Sequence, residues 1–432
     1  MAFFTALSGL NAAAKNLSVT SNNIANANTT GFKQSRAEFA DVYASSISGV
    51  SKIQPGSGVR LTNVAQQFTQ GTINATDNNL DLAISGEGFF SLGTDATSTL
   101  PSIYTRSGEF KLNKEGYVVN NQGNYLMTFK PNGTTVAEGF STGFFQPLQV
   151  NAEQGSPVAT TALGISANLQ SVQTAPTVTT VDPKNPDSYN HTTSMTIYDS
   201  QGNSHIASTY FVSQSPTTPN SWNAYVFVDG KAFNADGSLA PIPLDGTQTA
   251  MPITFDTEGK LTAPLTPVPF GPIASLDLDP NQLVADLNLS FDFTGTTQYS
   301  SVFSVNNLSQ DGLPSGNLTG ISVDDEGVVF AKYSNGGVSP LGKVALTRFA
   351  NPQGLAKLGD STWAQSGESG EPIPGEPGNG SFGVIQSGAL EGANVDLSQQ
   401  LVNLIIGQQA YQANAQSIST ENTITQTILN IR

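Results

Sequence analysis

The 432-residue sequence contains no cysteine. That excludes a disulfide framework and any zinc site built on thiolates. Chance, or selection against thiols in a chain that leaves the cell unfolded, accounts for it equally well. Histidine is nearly missing as well. The two present, His191 and His205, lie in β or loop contexts and are expected at turns or on the surface, because a Ser-His-Asp triad or an imidazole metal site needs more partners than the sequence offers. Charged residues make up only 12% of the chain, 33 acidic against 17 basic, for a net charge of −16. Long apolar runs are lacking too. The strongest, LVNLII at 401–406, is interrupted by Asn403, so no membrane insertion is expected. The first basic residue is Lys15, which leaves no positive segment ahead of an apolar run and hence no expected signal peptide. If the protein is extracellular, it leaves by a route that needs no cleaved signal.

The charge that is present is uneven. Residues 146–340 hold 17 Asp and Glu against 4 Lys and Arg, which is −13 of the total −16. Nucleic-acid binding needs clustered cations, so this balance argues against such a partner and for a solvated, acidic outer surface. Chemistry is equally hard to find. SGEGFF at 85–90 lacks the third glycine and the following helix of a nucleotide loop. Asp77, Asn79 and Asp81 match only part of a calcium-loop spacing, and turns feeding strands explain them better. No feature selects a carboxylate pair for glycoside hydrolysis. The chain is therefore read as a non-enzyme, with no catalytic, metal or cofactor-binding residues and no cofactor.

Order along the chain is clearer. Phe3, Leu7, Leu10, Ala14, Leu17, Ser21 and Ile24 alternate spacings of four and three, one face of a helix that stops near Gly31. Leu397, Leu401, Leu404, Gln408, Tyr411, Ala415 and Ile418 repeat that spacing at the other end, and Ile424, Ile428 and Ile431 continue it with drift. Between them lie short alternating strands with turns at NKEG, NNQGN, DSQGN and DDEG. The fold class expected is α+β and multidomain: paired N- and C-terminal helices with nested, mostly-β domains inserted between them. Residues 1–32 with 395–432 form the helical part, 33–72 with 362–394 an extended linker region, 73–145 with 311–361 a β-rich middle domain, and 146–310 an acidic β-rich outer domain, one or two units.

The helices pose a question. From Leu397 to Thr420 there is no charged residue, and TSNNIANANTTGFK at 20–33 carries four asparagines where charge ordinarily solvates a helix end. Neutral amides suit a face that is buried yet hydrogen-bonded. An intramolecular hairpin is one reading; ends that order when many copies assemble is the other. On the second reading the assembly face comprises Phe3, Leu7, Leu10, Leu17, Asn22, Asn23, Ile24, Asn26 and Asn28 at the N-terminus. At the C-terminus it comprises Leu397, Leu401, Leu404, Tyr411, Asn414, Ile418, Ile424 and Ile428. The four asparagines are expected to need partners from neighbouring chains.

These same ends carry a resemblance. ALSGLNAAAKNLSVTSNNIANANTTGFKQSRAEFADVY (6–43) and LEGANVDLSQQLVNLIIGQQAYQANAQSIS (390–419) resemble the N- and C-terminal signatures of the bacterial flagellar rod and hook protein family. IYDSQGNSH, a strand bearing Trp222, and LGKVALTRFANPQGLAKLGDSTW resemble the hook branch, with the distal rod protein as the alternative within the family. A secreted β-rich adhesin is the alternative outside it. Ala393, Gln400 and Gln409 depart from the pattern and leave the terminal helix more neutral. The resemblance implies a subunit of the flagellar hook that polymerises with itself into a curved hollow tube, a universal joint passing torque from rod to filament. It further implies an extracellular location reached through the flagellar type III export apparatus. The implied partners are the distal rod protein, the hook cap protein and the hook-filament junction protein.

Overall fold

The computed structural model describes residues 2–42, 56–150, 155–234, 236–240, 250–278 and 283–430. Helix α1 (Ala2–Ala25) opens the chain. It is rich in alanine and leucine and has no proline, which favours a helix. Tight turns at Asn26 and Thr29 follow, and then Gly31, whose positive φ of 68° a side chain at this crowded point could not share. The chain leaves the turn as strand β1 (Ser35–Asp41), which pairs antiparallel with β2 (Val59–Gln66). Helix α3 (Leu397–Asn430) closes the chain, its first turn capped by the Asp396 carboxylate, which accepts from the amides of Ser398 and Gln399. The third helix, α2 (Ser275–Leu278), is a single turn. Among the described residues no helix is long and apolar enough to cross a membrane.

The chain folds into two compact units. The first comprises Met1–Asn151, Gly320–Lys332 and Val338–Arg432. Its main sheet runs through Val338–Val344, Tyr125–Pro131, Phe89–Gly93, Ile103–Thr105, Thr362–Ala364 and Ala356–Gly359, all antiparallel. An aromatic cluster of Phe89, Tyr104, Phe349 and Trp363 fills its core edge to face, with Phe68 at the margin. The Trp363 indole N–H donates to Gln66 Oε1 at 2.7 Å and so ties the end of β2 to this core.

The described residues of 33–72 and 362–394 differ from the extended linker expected there; 43–55 lie outside the described residues. They form the β1–β2 hairpin, strand Thr362–Ala364 on Ile103–Thr105, strand Val384–Ser387 on Leu82–Ser85, and strand Ala389–Glu391 on Ile73–Ala75. Backbone ladders, which composition alone does not announce, give these Gly-, Ser- and Pro-rich stretches their partners.

The second unit comprises Ala152–Thr319 and Tyr333–Gly337. A seven-stranded sheet is built on His191–Tyr198, Ser204–Ser213 and Ser221–Val228, and a four-stranded sheet on Val268–Ile273, Leu287–Asp292, Ala162–Asn168 and Ser304–Gln310. Both contribute to one core, Leu163, Ile165 and Phe291 meeting Ile197, Phe211, Trp222 and Val226. The acidic middle is thus one unit. Its edges fall at 151/152 and 319/320, whereas alternation in the sequence places them at 145/146 and 310/311. The reason is pairing: Phe140–Pro147 is still laddered to Tyr125–Pro131, and Leu313 and Gly316 bridge Val158 and Gly155.

Both histidines differ from the surface positions expected of them. His205 is buried, with Nδ1 2.6 Å from Asp229 Oδ2 and Nε2 3.5 Å from Asp199 Oδ2. His191 stacks on Phe303 with ring centroids 4.4 Å apart, beside Trp222, and burial pushes its basicity down. Asp81 accepts from Thr76 and Asn78, which closes the turn ahead of its strand.

Candidate functional site: the paired terminal helices

Helices α1 and α3 run antiparallel and meet closely at two glycines. A side chain on Gly9 would collide with Asn414, and one on Gly407 would come within 2.9 Å of Leu17. Along this seam Leu10, Leu17 and Ile24 of α1, and Leu404, Asn414 and Ile418 of α3, are half-buried. Phe3 and Leu7 on α1, and Leu397, Leu401, Tyr411, Ile424 and Ile428 on α3, are exposed. The periodic stripe therefore divides, one part facing the partner helix and the other facing outward. A second set lies outside the stripe and was not singled out by periodicity: Phe4 (72% exposed), Val402, Ile405, Ile406 (56%) and Leu429 (68%). Phe4, Val402, Ile405 and Leu429 are adjacent to stripe residues and Ile406 is one turn on from Val402, so α3 is apolar over more of its circumference than one stripe covers. Among its described residues only Gln400 and Gly407 are buried.

The asparagines do not all do what the sequence led us to expect. Asn23 is 2% exposed, and its amide is satisfied within the chain. Nδ2 donates to the Ser35 carbonyl at 2.8 Å, and Oδ1 accepts the Ser35 amide at 2.9 Å. It works as a clasp between α1 and β1 and has nothing left for a neighbouring chain. Asn26 donates to the Asn22 carbonyl and accepts from the Thr29 hydroxyl, shaping the turn after the helix. Asn22 and Asn28 are exposed. On α3, Asn414 donates back to the Ala410 carbonyl.

Below the helices the two crossings of the chain are locked together. The Gly31 amide donates to the Glu391 carbonyl at 2.7 Å, and the Gln34 amide to Asn394 Oδ1 at 2.8 Å. Asn394 in turn donates to the carbonyls of Gln67 and Thr69. At the centre is a fully buried ion pair, Lys33 Nζ to Glu391 Oε1 at 2.6 Å. Arg106 reaches the other carboxylate oxygen at 3.3 Å, donates to the Gly86 carbonyl, and lies over the Phe89 ring. Lys33 also donates to the Thr69 carbonyl, and Glu391 Oε1 accepts the Gly71 amide. Burial pushes the Lys33 ammonium below the ordinary lysine range, and the adjacent Glu391 opposes that shift. This triad was not singled out from sequence: Lys33 and Glu391 are 358 residues apart.

A buried, hydrogen-bonded neck carries a helix pair, and on α3 the outer surface is broad, apolar and free of charge from Leu397 to Thr420. Comparison with known proteins agrees with such a part. The flagellar hook protein FlgE of Escherichia coli strain K12 is 38% identical over 437 residues, covering 100% of both chains. The chain belongs to the flagellar hook protein family. The FlgE proteins of Salmonella typhimurium strain LT2 and Borreliella burgdorferi strain B31 are 36% and 29% identical, covering 100% and 99% of this chain and the same shares of theirs. Family models match in the same sense. They describe a flagella basal body rod protein at residues 3–33, a flagellar hook protein FlgE/F/G D1 domain at 83–175, a flagellar basal body protein FlaE D2 domain at 168–313, and a flagellar basal body rod FlgEFG protein C-terminal region at 386–431. The crystal structure of the Helicobacter pylori hook protein FlgE2 shares the fold. Its TM-score is 0.52 at 16% identity, over 74% of this chain and 100% of that one. The protein is a structural subunit of the flagellar hook, and hook-family membership carries with it polymerisation and association with other flagellar components. The distal-rod and adhesin readings are not favoured.

Proposed function

We propose that the outward faces of α1 and α3 are the surface through which copies of this hook subunit polymerise into a hollow, curved tube. The observation that supports this is the row of exposed aliphatics on α3, Leu401, Val402, Ile405 and Ile406, with no charge to solvate it from Leu397 to Thr420. An apolar, neutral helix face of this kind is a liability in a dispersed protein and an asset in an assembled one. On this reading the helices form the inner wall, and the β-rich residues 73–145 with 311–361 and the acidic residues 146–310 form the outer layers. The universal joint follows from the contrast in stiffness. Cored β units keep their shape, while neutral polar contacts between neighbours allow several registers of similar energy, which a buried ion pair between copies would lock. Subunits reach the outside through the flagellar type III export apparatus without a cleaved signal. They join the distal rod protein below and the junction protein above, beneath a hook cap protein.

The test is the double variant Ile405→Glu, Ile406→Glu. It places charge on the outer face of α3 without touching either β core. Electron microscopy of the purified protein is expected to show tubes for the unsubstituted chain and dispersed subunits for the variant, with unchanged far-UV circular dichroism. Normal tubes from the variant would remove these helices from the interface.

A further inference from the structure

Glycine follows asparagine three times in this chain, at 132–133, 335–336 and 379–380. With no Cβ beside it, a glycine nitrogen is unhindered and can close on the preceding carboxamide to form a five-membered ring. The fold treats the three pairs differently.

The Asn335 carboxamide is bound at both ends. Nδ2 donates to the Pro314 carbonyl at 2.6 Å, and Oδ1 accepts the Gly337 amide at 2.9 Å. The nitrogen that would attack, Gly336 N, donates to the Tyr333 carbonyl at 3.1 Å. All of these bonds must open before the ring can close. Asn132 is held once, by Nδ2 donating to the Glu138 carbonyl at 3.2 Å, and the Glu138 carboxylate crowds Gly133. Asn379 is held by its backbone alone. Its amide donates to the Glu376 carbonyl at 3.3 Å and its carbonyl accepts the Phe382 amide at 3.1 Å. Its exposed side chain has no partner among the described residues. Gly380 has a positive φ of 62°, an amide bonded to nothing, and open space where a side chain would stand.

We propose that Asn379 is a site of spontaneous deamidation in the folded protein, with water as the co-reactant. The Gly380 nitrogen attacks Asn379 Cγ, the new N–C bond forms, and Cγ–Nδ2 breaks. The nitrogen's proton leaves with Nδ2 as ammonia. Water then opens either C–N bond of the cyclic imide. One opening gives aspartate. The other gives isoaspartate, in which the main chain gains a carbon and the carbonyl that Phe382 bonds becomes a free carboxylate. Either product adds a negative charge. Isoaspartate also loosens loop 376–383, whose Gly383 amide donates to the Glu87 carbonyl at 2.8 Å.

Chymotrypsin, which cuts after aromatic residues, separates the three sites, since 130–140, 334–349 and 364–382 each contain one asparagine. The full chain is incubated at mildly alkaline pH, where the attacking nitrogen loses its proton more readily, and its peptides are followed by mass spectrometry. Peptide 364–382 is expected to exchange amide for acid first, at least about tenfold faster than 334–349, a margin set by the hydrogen bonds that Asn335 must lose. It is expected to divide into two products of equal mass that separate on chromatography. In urea the three rates are expected to converge. Equal rates in the folded chain, or 334–349 leading, overturn the proposal. So does an order that persists in urea, because local sequence and not the fold then sets it. In an Asn379→Gln variant, whose ring would have six members and close far more slowly, 364–382 is expected to stay unchanged. Conversion at the original rate in that variant would place the change at Gln365 and overturn the assignment.

Discussion

At the scale of single residues, a few buried polar groups depend on named partners, and removing a partner has a predictable cost. Glu391 neutralises two cations that are themselves buried, and removing it leaves Lys33 and Arg106 facing each other without an anion. Glu391→Ala is therefore expected to cost about 3–5 kcal/mol, read as a lower denaturant midpoint for the first unit. In the second unit the carboxylates set the acid limit. Desolvation pushes Asp311 up, but the Thr161 hydroxyl and the amides of Thr161 and Ala162 more than offset this and hold it below the usual carboxylate range. Asp199, unlike the exposed Asp311, is buried, which pushes it up, but it is likewise held low by Asn203, Gln201 and His205. A lowered native value means stability that is present above about pH 4 and lost as the pH falls through it. Thermal melts are expected to fall steeply below pH 4, and more gently for Asp311→Asn; identical slopes would contradict that assignment. None of this was legible in the sequence. An asparagine such as Asn23 is read as a surface amide until β1 is seen returning across it, because what satisfies an amide depends on which backbone comes back to it.

At the scale of elements more could be read. Leucines and isoleucines at alternating fours and threes mark both helices, and Asp396 caps α3 where the sequence places its start; α1, however, ends at Ala25, ahead of Gly31, which serves the turn into β1 instead. Periodicity ranks residues by angle alone, so it does not tell the half of the stripe that faces the partner helix from the half that faces outward, and it passes over Val402 and Ile406. Glycine decides the approach of the helices. Gly407→Leu drives a side chain into Leu17 and is expected to cost about 1–3 kcal/mol of helix pairing. Amide hydrogen exchange along α1 should quicken while the β units stay protected; unchanged protection of α1 would show that the close approach is not what orders it. The β1–β2 hairpin is the element that sequence reading misses, since residues 33–72 lack the strict alternation of a half-buried strand.

At the scale of the whole molecule the sequence announces its plan through contrast. Neutral helices at both ends and an acidic β-rich middle were visible in composition, and the two compact units correspond to a chain that leaves the first unit to build the second and then returns. The exact crossing points were not visible, because they are set by single bridges such as Val158 to Leu313. The central claim is that the working state of this hook subunit is a polymer held by α1 and α3. A reconstruction of the assembled tube by electron cryomicroscopy tests it most directly. The account predicts that Leu401, Val402, Ile405 and Ile406, all exposed in the single chain, lie against helices of neighbouring copies. A tube in which those side chains still face water, with copies joined through the β units alone, would contradict it.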